Sequence, residues 1–583
     1  MLLTQEDCAI DEYVENPSIG VAVYQAQLLR RQLRAITRED YPAAAIRIRD
    51  VFDVVAEFVE SQLRSLYDPN RPHVPTGPAA DYRLQALARI VRTLAAYLRF
   101  LRASSPTDCP PAIQLALEHL TRLYFPSVTT EPGAATIPPT SSEPPSEGTP
   151  SLPPADPRSE PHLAAICLVR PQWNYNFTYV AVTTLLRENV LLPDVLDPYE
   201  YFLPGHSSVV EPSETAPEEL LAALWRRRFP QDASSRATDQ VPILPEHIGI
   251  LSFPRLDTED TLLLPLLAHE LGHFIDFSHK PPLHRRNPSW QHVDSSEVEA
   301  ACLEAGSTPP PERLIQYQEW LSRLVSTCIR ELIADLLAVR IMGLGFFVAQ
   351  AEFLKTVGRW DTADVSPRSG YPGFRYRLRT ILEELWDEGT LGAFLDSHAT
   401  PDKDGTHKTL RSRQASANAL RKYLERWQAR LTAPANVSTR TDDVEEILVR
   451  KVVEPKVTTA LSEIRRLARA AIPGSKVAVL SPTFFDRIEL IRNELPPLIE
   501  PEIPHCFSEV LSAAWAYQVL WGEGEEVKLT SRASETDGLG ERGQEKSWED
   551  AFEEYRKTCR LVLKAIELLP YESPLHAAPQ TVG

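Results

Sequence analysis

The sequence predicts an α+β protein that is predominantly helical, with one small sheet. Apolar residues recur three and four apart over most of the chain, the spacing that turns one face of a helix toward a core. Two short apolar runs bounded by turn residues, Leu163–Val169 and Ile248–Phe253, have the length and composition of strands. Of the 583 residues, 43% are apolar and 24% charged, ordinary values for a folded chain with ample material for a core.

At this length more than one domain is expected. Residues 1–126 form an N-terminal helical domain, with clear helical spacing over Ile46–Leu66 and Leu84–Leu101. Residues 127–161 are rich in Pro, Ser, Thr and Glu and almost free of large apolar side chains. Such a segment cannot bury enough surface to offset its ordering entropy, so it reads as a flexible linker. Residues 162–400 hold both strand candidates, then helices around Leu262–Phe277, Arg313–Met342 and Arg375–Trp386. Residues 401–583 form a C-terminal helical region, with helices near Leu410–Leu431, Asp443–Ala471, Thr483–Leu495 and His505–Trp521 and a polar loop near 523–545. Much of the excess of 51 Pro over 23 Gly falls in the linker and in a polar stretch from Pro281 to Pro311.

Charge and cysteine content narrow the classes. Eighty acidic against 61 basic residues give a net charge of −19, which argues against a nucleic-acid partner. The seven Cys form no CxxC pair, so buried free thiols in a reducing compartment are expected rather than a disulfide framework. The N-terminus has no basic, apolar leader pattern, and no apolar run is long enough for a membrane span. A cytoplasmic location follows as the expectation.

The informative stretch is TLLLPLLAHELGHFIDFSHK, Thr261–Lys280, containing H-E-x-x-H at His269, Glu270 and His273. Positions four apart on a helix lie one turn above each other, so two imidazoles can converge on one Zn²⁺. Glu270 then stands beside the metal, where it can take a proton from an activated water. A helix capped at Thr261 puts Pro265 in its first turn, where its missing N–H is tolerated. Such a site needs a further protein ligand. Glu331, in CIRELIADLLAVR, is one candidate, with Asp335 one turn on to accept the second ring N–H of a ligand His. His279 is the other: it stands where the metzincin signature has its third His, although Asp276 replaces the Gly of that signature.

HELGH together with ELIAD resembles the gluzincin-type zinc metallopeptidases, and E-x-x-A-D is most similar to soluble relatives of the Ste24/HtpX-like peptidases. Those carry a later His-Pro followed five residues on by Arg; here Tyr371-Pro372 precedes Arg377, with Tyr in place of His. The resemblance covers roughly Ile248–Leu382. It implies a zincin-like metallopeptidase core, with a small sheet and an active-site helix, flanked by helical domains. It implies Zn²⁺ on His269, His273 and Glu331, Glu270 as general base, and Asp335 behind the ligands. It also implies that Arg377 orients the site or holds an oxyanion, with Tyr371 donating a hydrogen bond; the plainer reading of Arg377 is a solvated arginine at a helix start. Peptide-bond hydrolysis of a peptide or protein substrate follows, with the substrate extended along an edge strand, for which Gly249–Phe253 is the candidate. The net charge points to a neutral or basic substrate. An alternative of another class is a catalytically inactive or regulatory zincin-like scaffold whose helical flanks bind a partner.

Overall fold

The computed structural model describes residues 17–66, 78–125, 165–172, 178–182, 217–228, 247–254, 260–279, 281–357, 371–387, 390–399, 408–433, 443–474, 477–478, 480–497, 506–522 and 548–567. The 127–161 segment, the breaks at 401–407 and 523–545, and Cys8 lie outside the described residues.

The fold is organised on a three-stranded sheet of order β1-β3-β2, formed by β1 (Ala165–Gln172), β2 (Thr178–Ala181) and β3 (His247–Pro254). β1 runs parallel to β3 and β2 antiparallel to it. Side chains alternate across a strand, and here each face feeds a different hydrophobic core. Ile166, Leu168, Ile248 and Ile250 face α1 (Pro17–Arg34), α2 (Ala43–Ser65), α3 (Pro78–Arg102) and α5 (Pro217–Arg228). Ala165, Cys167, Val169, Leu251 and Phe253 face the larger core, which includes α4 (Pro111–Tyr124).

One expectation about the sheet changes. β3, expected at an edge, is the central strand, paired on both sides and therefore closed to an added strand. At the β1 edge, Gln114 of α4 accepts from the Val169 N–H at 3.1 Å and donates to the Cys167 carbonyl at 3.4 Å. That side chain occupies the ladder positions a further strand would need.

The larger core holds the remaining helices. After β3 a 3₁₀ segment, Thr261–Leu266, leads into α6 (Leu267–Ser278). The α-helix thus begins two residues after Pro265, later than a Thr261 cap implies. A proline ring clashes with the carbonyl four residues back, and the tighter 3₁₀ turn avoids that clash. Next come α7 (Ser295–Glu304), α8 (Pro311–Met342), α9 (Leu344–Val357), α10 (Phe374–Asp387), α11 (Thr390–Ala399) and α12 (Lys408–Thr432). α13 (Val444–Leu448) continues through a π-turn, Val449–Val453, into α14 (Glu454–Ala471). The chain closes with α15 (Phe484–Arg492), α16 (Cys506–Gly522) and α17 (Trp548–Glu567).

Buried polar links hold this layer together. Arg340 of α8 donates to Glu384 of α10 at 2.9 Å and to the Ile472 carbonyl after α14 at 2.7 and 2.9 Å. Glu384 also accepts from Arg469 of α14. Cys109, Cys167, Cys302, Cys328, Cys506 and Cys559 are buried free thiols. Among the described residues no helix is long and apolar enough to cross a membrane.

Candidate metal centre

α6, α8 and α10 meet where the sequence motifs lie. α6 is apolar around the motif: Leu267, Ala268, Leu271, Phe274 and Ile275 are buried with it. Phe274 packs on the sheet, its ring 5.7 Å from that of Tyr179 in β2. A β-carbon at Gly249 would come within 3.0–3.3 Å of those two rings. α8 is likewise buried from Glu331 to Met342.

In the turns of α6 that lead to Phe274, His269 and His273 stand with ring centroids 4.7 Å apart. Both Nε2 atoms face the Glu331 carboxylate of α8: His269 Nε2 is 3.2 Å from Oε2 and His273 Nε2 is 3.4 Å from Oε1. One ligand atom from each residue lies within 4.8 Å of the others. Four-coordinate zinc with bonds of about 2.0–2.1 Å has ligand atoms about 3.3 Å apart, close to these two nitrogen–oxygen separations, which run to different oxygens of the one carboxylate. His273 Nδ1 is buried with no hydrogen-bond partner.

Asp335, fully buried one turn beyond Glu331, organises the rear of the cluster. Its Oδ1 lies 2.9 Å from His269 Nδ1. Its two oxygens accept from Arg377 Nη2 and Nε of α10, each at 2.7 Å. The relay Arg377–Asp335–His269 fixes the imidazole with its proton on Nδ1 and its other nitrogen toward Glu331. Arg377 is thus a buried arginine with two donors committed to Asp335, not a solvated helix-start residue.

The charges shift accordingly. Burial raises the Asp335 pKa, but the Arg377 charge and hydrogen bonds outweigh it and hold the group below its ordinary range. Burial likewise opposes ionisation of Glu331, and His269 and His273 overcome it, leaving the carboxyl well below its ordinary value. Burial lowers the His269 pKa, yet Asp335 and Glu331 together carry it up to about 10. Glu270, buried beside the cluster, is moved upward by that burial, the direction that suits a proton acceptor working near neutral pH.

Tyr371 precedes α10 at the solvent side of the cluster and is 42% exposed. Partial burial and then the Glu331 charge raise its hydroxyl pKa. His279 stands apart from the three converging residues: it caps α6, and its Nδ1 lies 2.8 Å from the Ile275 carbonyl.

Sequence reading missed the Asp276–His284 pair. Asp276 remains helical and accepts from the His284 backbone N–H at 3.0 Å, with His284 Nδ1 at 2.6 Å from its other oxygen. This pair pins the segment after α6 back onto the helix, with Trp290 buried. The expected polar insertion is therefore partly core, and its Asp294–Glu297 capping box starts α7. Two polar residues eight apart across a Pro-Pro sequence give no periodic signal.

Comparison with protein-family models, with curated proteins and with solved structures returned no match.

Proposed function

We propose that the chain is a zinc-dependent metallopeptidase. The observation behind this reading is the convergence of His269 Nε2 and His273 Nε2 on the Glu331 carboxylate, at 3.2 Å from Oε2 and 3.4 Å from Oε1 respectively, beside a buried Glu270. His269, His273 and Glu331 would hold the ion, which when bound supplies Lewis-acid polarisation of a carbonyl and a water of lowered pKa. Glu270 accepts the proton of the attacking water and passes it to the leaving amine. Asp335 and Arg377 hold His269 in the tautomer that ligation needs.

An extended substrate would lie along β2, which packs on the helix of the motif through Tyr179 and Phe274, and pair with it by strand addition. β1 is covered by Gln114 and β3 is central, so β2 is the strand suited to this role.

The test is Glu270→Gln. The variant should bind zinc as wild type does and lose peptide hydrolysis by at least about 100-fold, the usual scale for removal of a general base. Wild-type protein that binds zinc in stoichiometric amount but cleaves nothing in a broad peptide library would favour the scaffold reading.

A further inference from the structure

We propose that Arg330 is a carboxylate anchor at the mouth of this centre, so that the preferred ligand presents either a free C-terminus or an acidic side chain beside the metal cluster. The proposal rests on the metallopeptidase reading and names the substrate class for it.

Arg330 directly precedes Glu331 on α8. Its Nη2 is 3.8 Å from Glu331 Oε1, too long for a hydrogen bond. Its Nε–H is buried with no hydrogen-bond partner. The side chain is 37% exposed, against 6–11% for His269, His273 and Glu331. The guanidinium therefore reaches from the cluster to solvent, with donors uncommitted on the way. Arg377 differs: it is buried and already paired with Asp335.

A positive charge at this place does nothing for metal binding. It repels a cation and competes for the Glu331 carboxylate. With Glu331 no nearer than 3.8 Å, the partly exposed guanidinium can meet a second carboxylate. Glu270, Glu331 and Asp335 supply three negative charges; Arg330, Arg377 and a divalent ion supply four positive ones. One carboxylate from the ligand neutralises the group. Arginine suits this task because its planar fork meets a carboxylate with two parallel hydrogen bonds.

Tyr371, also exposed, faces the same mouth: besides burial, the charges of Glu331, Arg330, Arg377 and Glu270 all reach its hydroxyl. The local balance thus runs against the −19 charge of the whole chain, from which a neutral or basic substrate is expected. The field at a site is set by the charged groups nearest to it.

The test is binding rather than turnover. Full-length Glu270→Gln protein, with and without stoichiometric zinc, is titrated with labelled short peptides in matched sets. One set has a free C-terminus or a C-terminal amide; the other is amidated and carries Glu or Gln internally. The proposal expects the carboxylate member of at least one set to bind about tenfold tighter. That preference should vanish in Arg330→Ala and return in part in Arg330→Lys. The set that shows it tells a terminal from a side-chain carboxylate. Equal binding within both sets, no binding at all, or a preference that survives Arg330→Ala overturns the proposal. Failure of the wild-type chain to hold zinc would instead overturn the metallopeptidase reading. An Arg330-dependent preference in metal-free protein would then still uphold the anchor.

Discussion

Gly272 of α6 lies so close to Ala334 of α8 that a β-carbon on it would come 2.7 Å from the Ala334 carbonyl oxygen and 3.0 Å from its Cα. The residue after Gly272 is His273, and the residue after Ala334 is Asp335. This close approach of the two helices therefore sits inside the cluster and bears on the distance across which its side chains meet. The obstacle is backbone, which cannot swing aside as a flexible side chain would.

Gly272→Ala should consequently separate the helices. Overpacking of this kind costs about 1–3 kcal/mol, against a gain of about 1 kcal/mol from helix propensity. We expect a lower melting temperature and zinc affinity weakened at least about tenfold in a competition titration. Gly474→Ala serves as the control, since no atom lies within 4 Å of the added carbon, and it should leave both quantities near wild type. An unchanged zinc affinity in Gly272→Ala would sink the argument.

Arg377→Ala and Asp335→Asn probe the rear of the site. Removing Arg377 leaves the fully buried Asp335 charge facing only His269. Breaking a buried pair from one side costs about 3–5 kcal/mol. Loss of a group that orients a metal-binding His weakens the metal by about 10–100-fold. Both variants should show that loss of zinc affinity, and Arg377→Ala also a marked drop in chemical stability. If Arg377 contacted only solvent or substrate, neither zinc affinity nor stability would move.

The shared face of His269 and His273 was legible because helical spacing is local: four-residue separation fixes which side chains lie together. Asp335 was legible for the same reason, one turn beyond Glu331. The strands Ala165–Gln172 and His247–Pro254 were legible as apolar runs, yet which of them lies in the centre depends on β2, four residues long and without a distinctive pattern. Helix α9 escaped notice because an apolar helix buried nearly all round has no polar face to reveal its period. Arg377 stayed between a site role and a solvated helix start because sequence does not show that α10 turns toward Asp335. Arg330 gave no signal at all, being one of many arginines until its neighbours are placed.

Acid–base behaviour offers a separate check. A histidine binds metal only when neutral. In the metal-free chain Asp335 and Glu331 raise His269 to about 10, so at pH 7 it is protonated. Zinc binding at that pH should release about one proton, measurable by calorimetry in two buffers of different ionisation enthalpy. The sign for stability follows from the same shift. A raised histidine pKa contributes stability that is complete below its ordinary value of 6.5 and lost as pH rises through about 10. Glu331 and Asp335, both lowered, act oppositely, and their contribution is lost on acidification below their ordinary 4.5 and 3.8. The difference in melting temperature between metal-free wild type and His269→Ala should therefore shrink from pH 6.5 to pH 10. A difference that grows over that window contradicts the assignment.

The start of the ligand helix depends on residues more than 250 positions away. Trp515 of α16 donates its indole N–H to the Leu262 carbonyl at 2.7 Å. Tyr555 of α17 donates to Asp260 at 2.8 Å, and Thr261 donates to the Cys559 carbonyl at 2.9 Å. These bonds satisfy polar groups of the 3₁₀ lead-in that holds Pro265. Trp515→Phe keeps most of the ring in place and removes one donor, leaving the Leu262 carbonyl buried and unsatisfied at a cost of about 1–3 kcal/mol. The denaturant midpoint should fall by a corresponding amount with the slope of the transition unchanged. Tyr555→Phe should act in the same direction, because it strips a donor from a carboxyl whose burial already raises its pKa. If both midpoints match wild type, the C-terminal helices do not brace the lead-in, and the placement of α6 must depend on its contacts with α8 and the sheet alone.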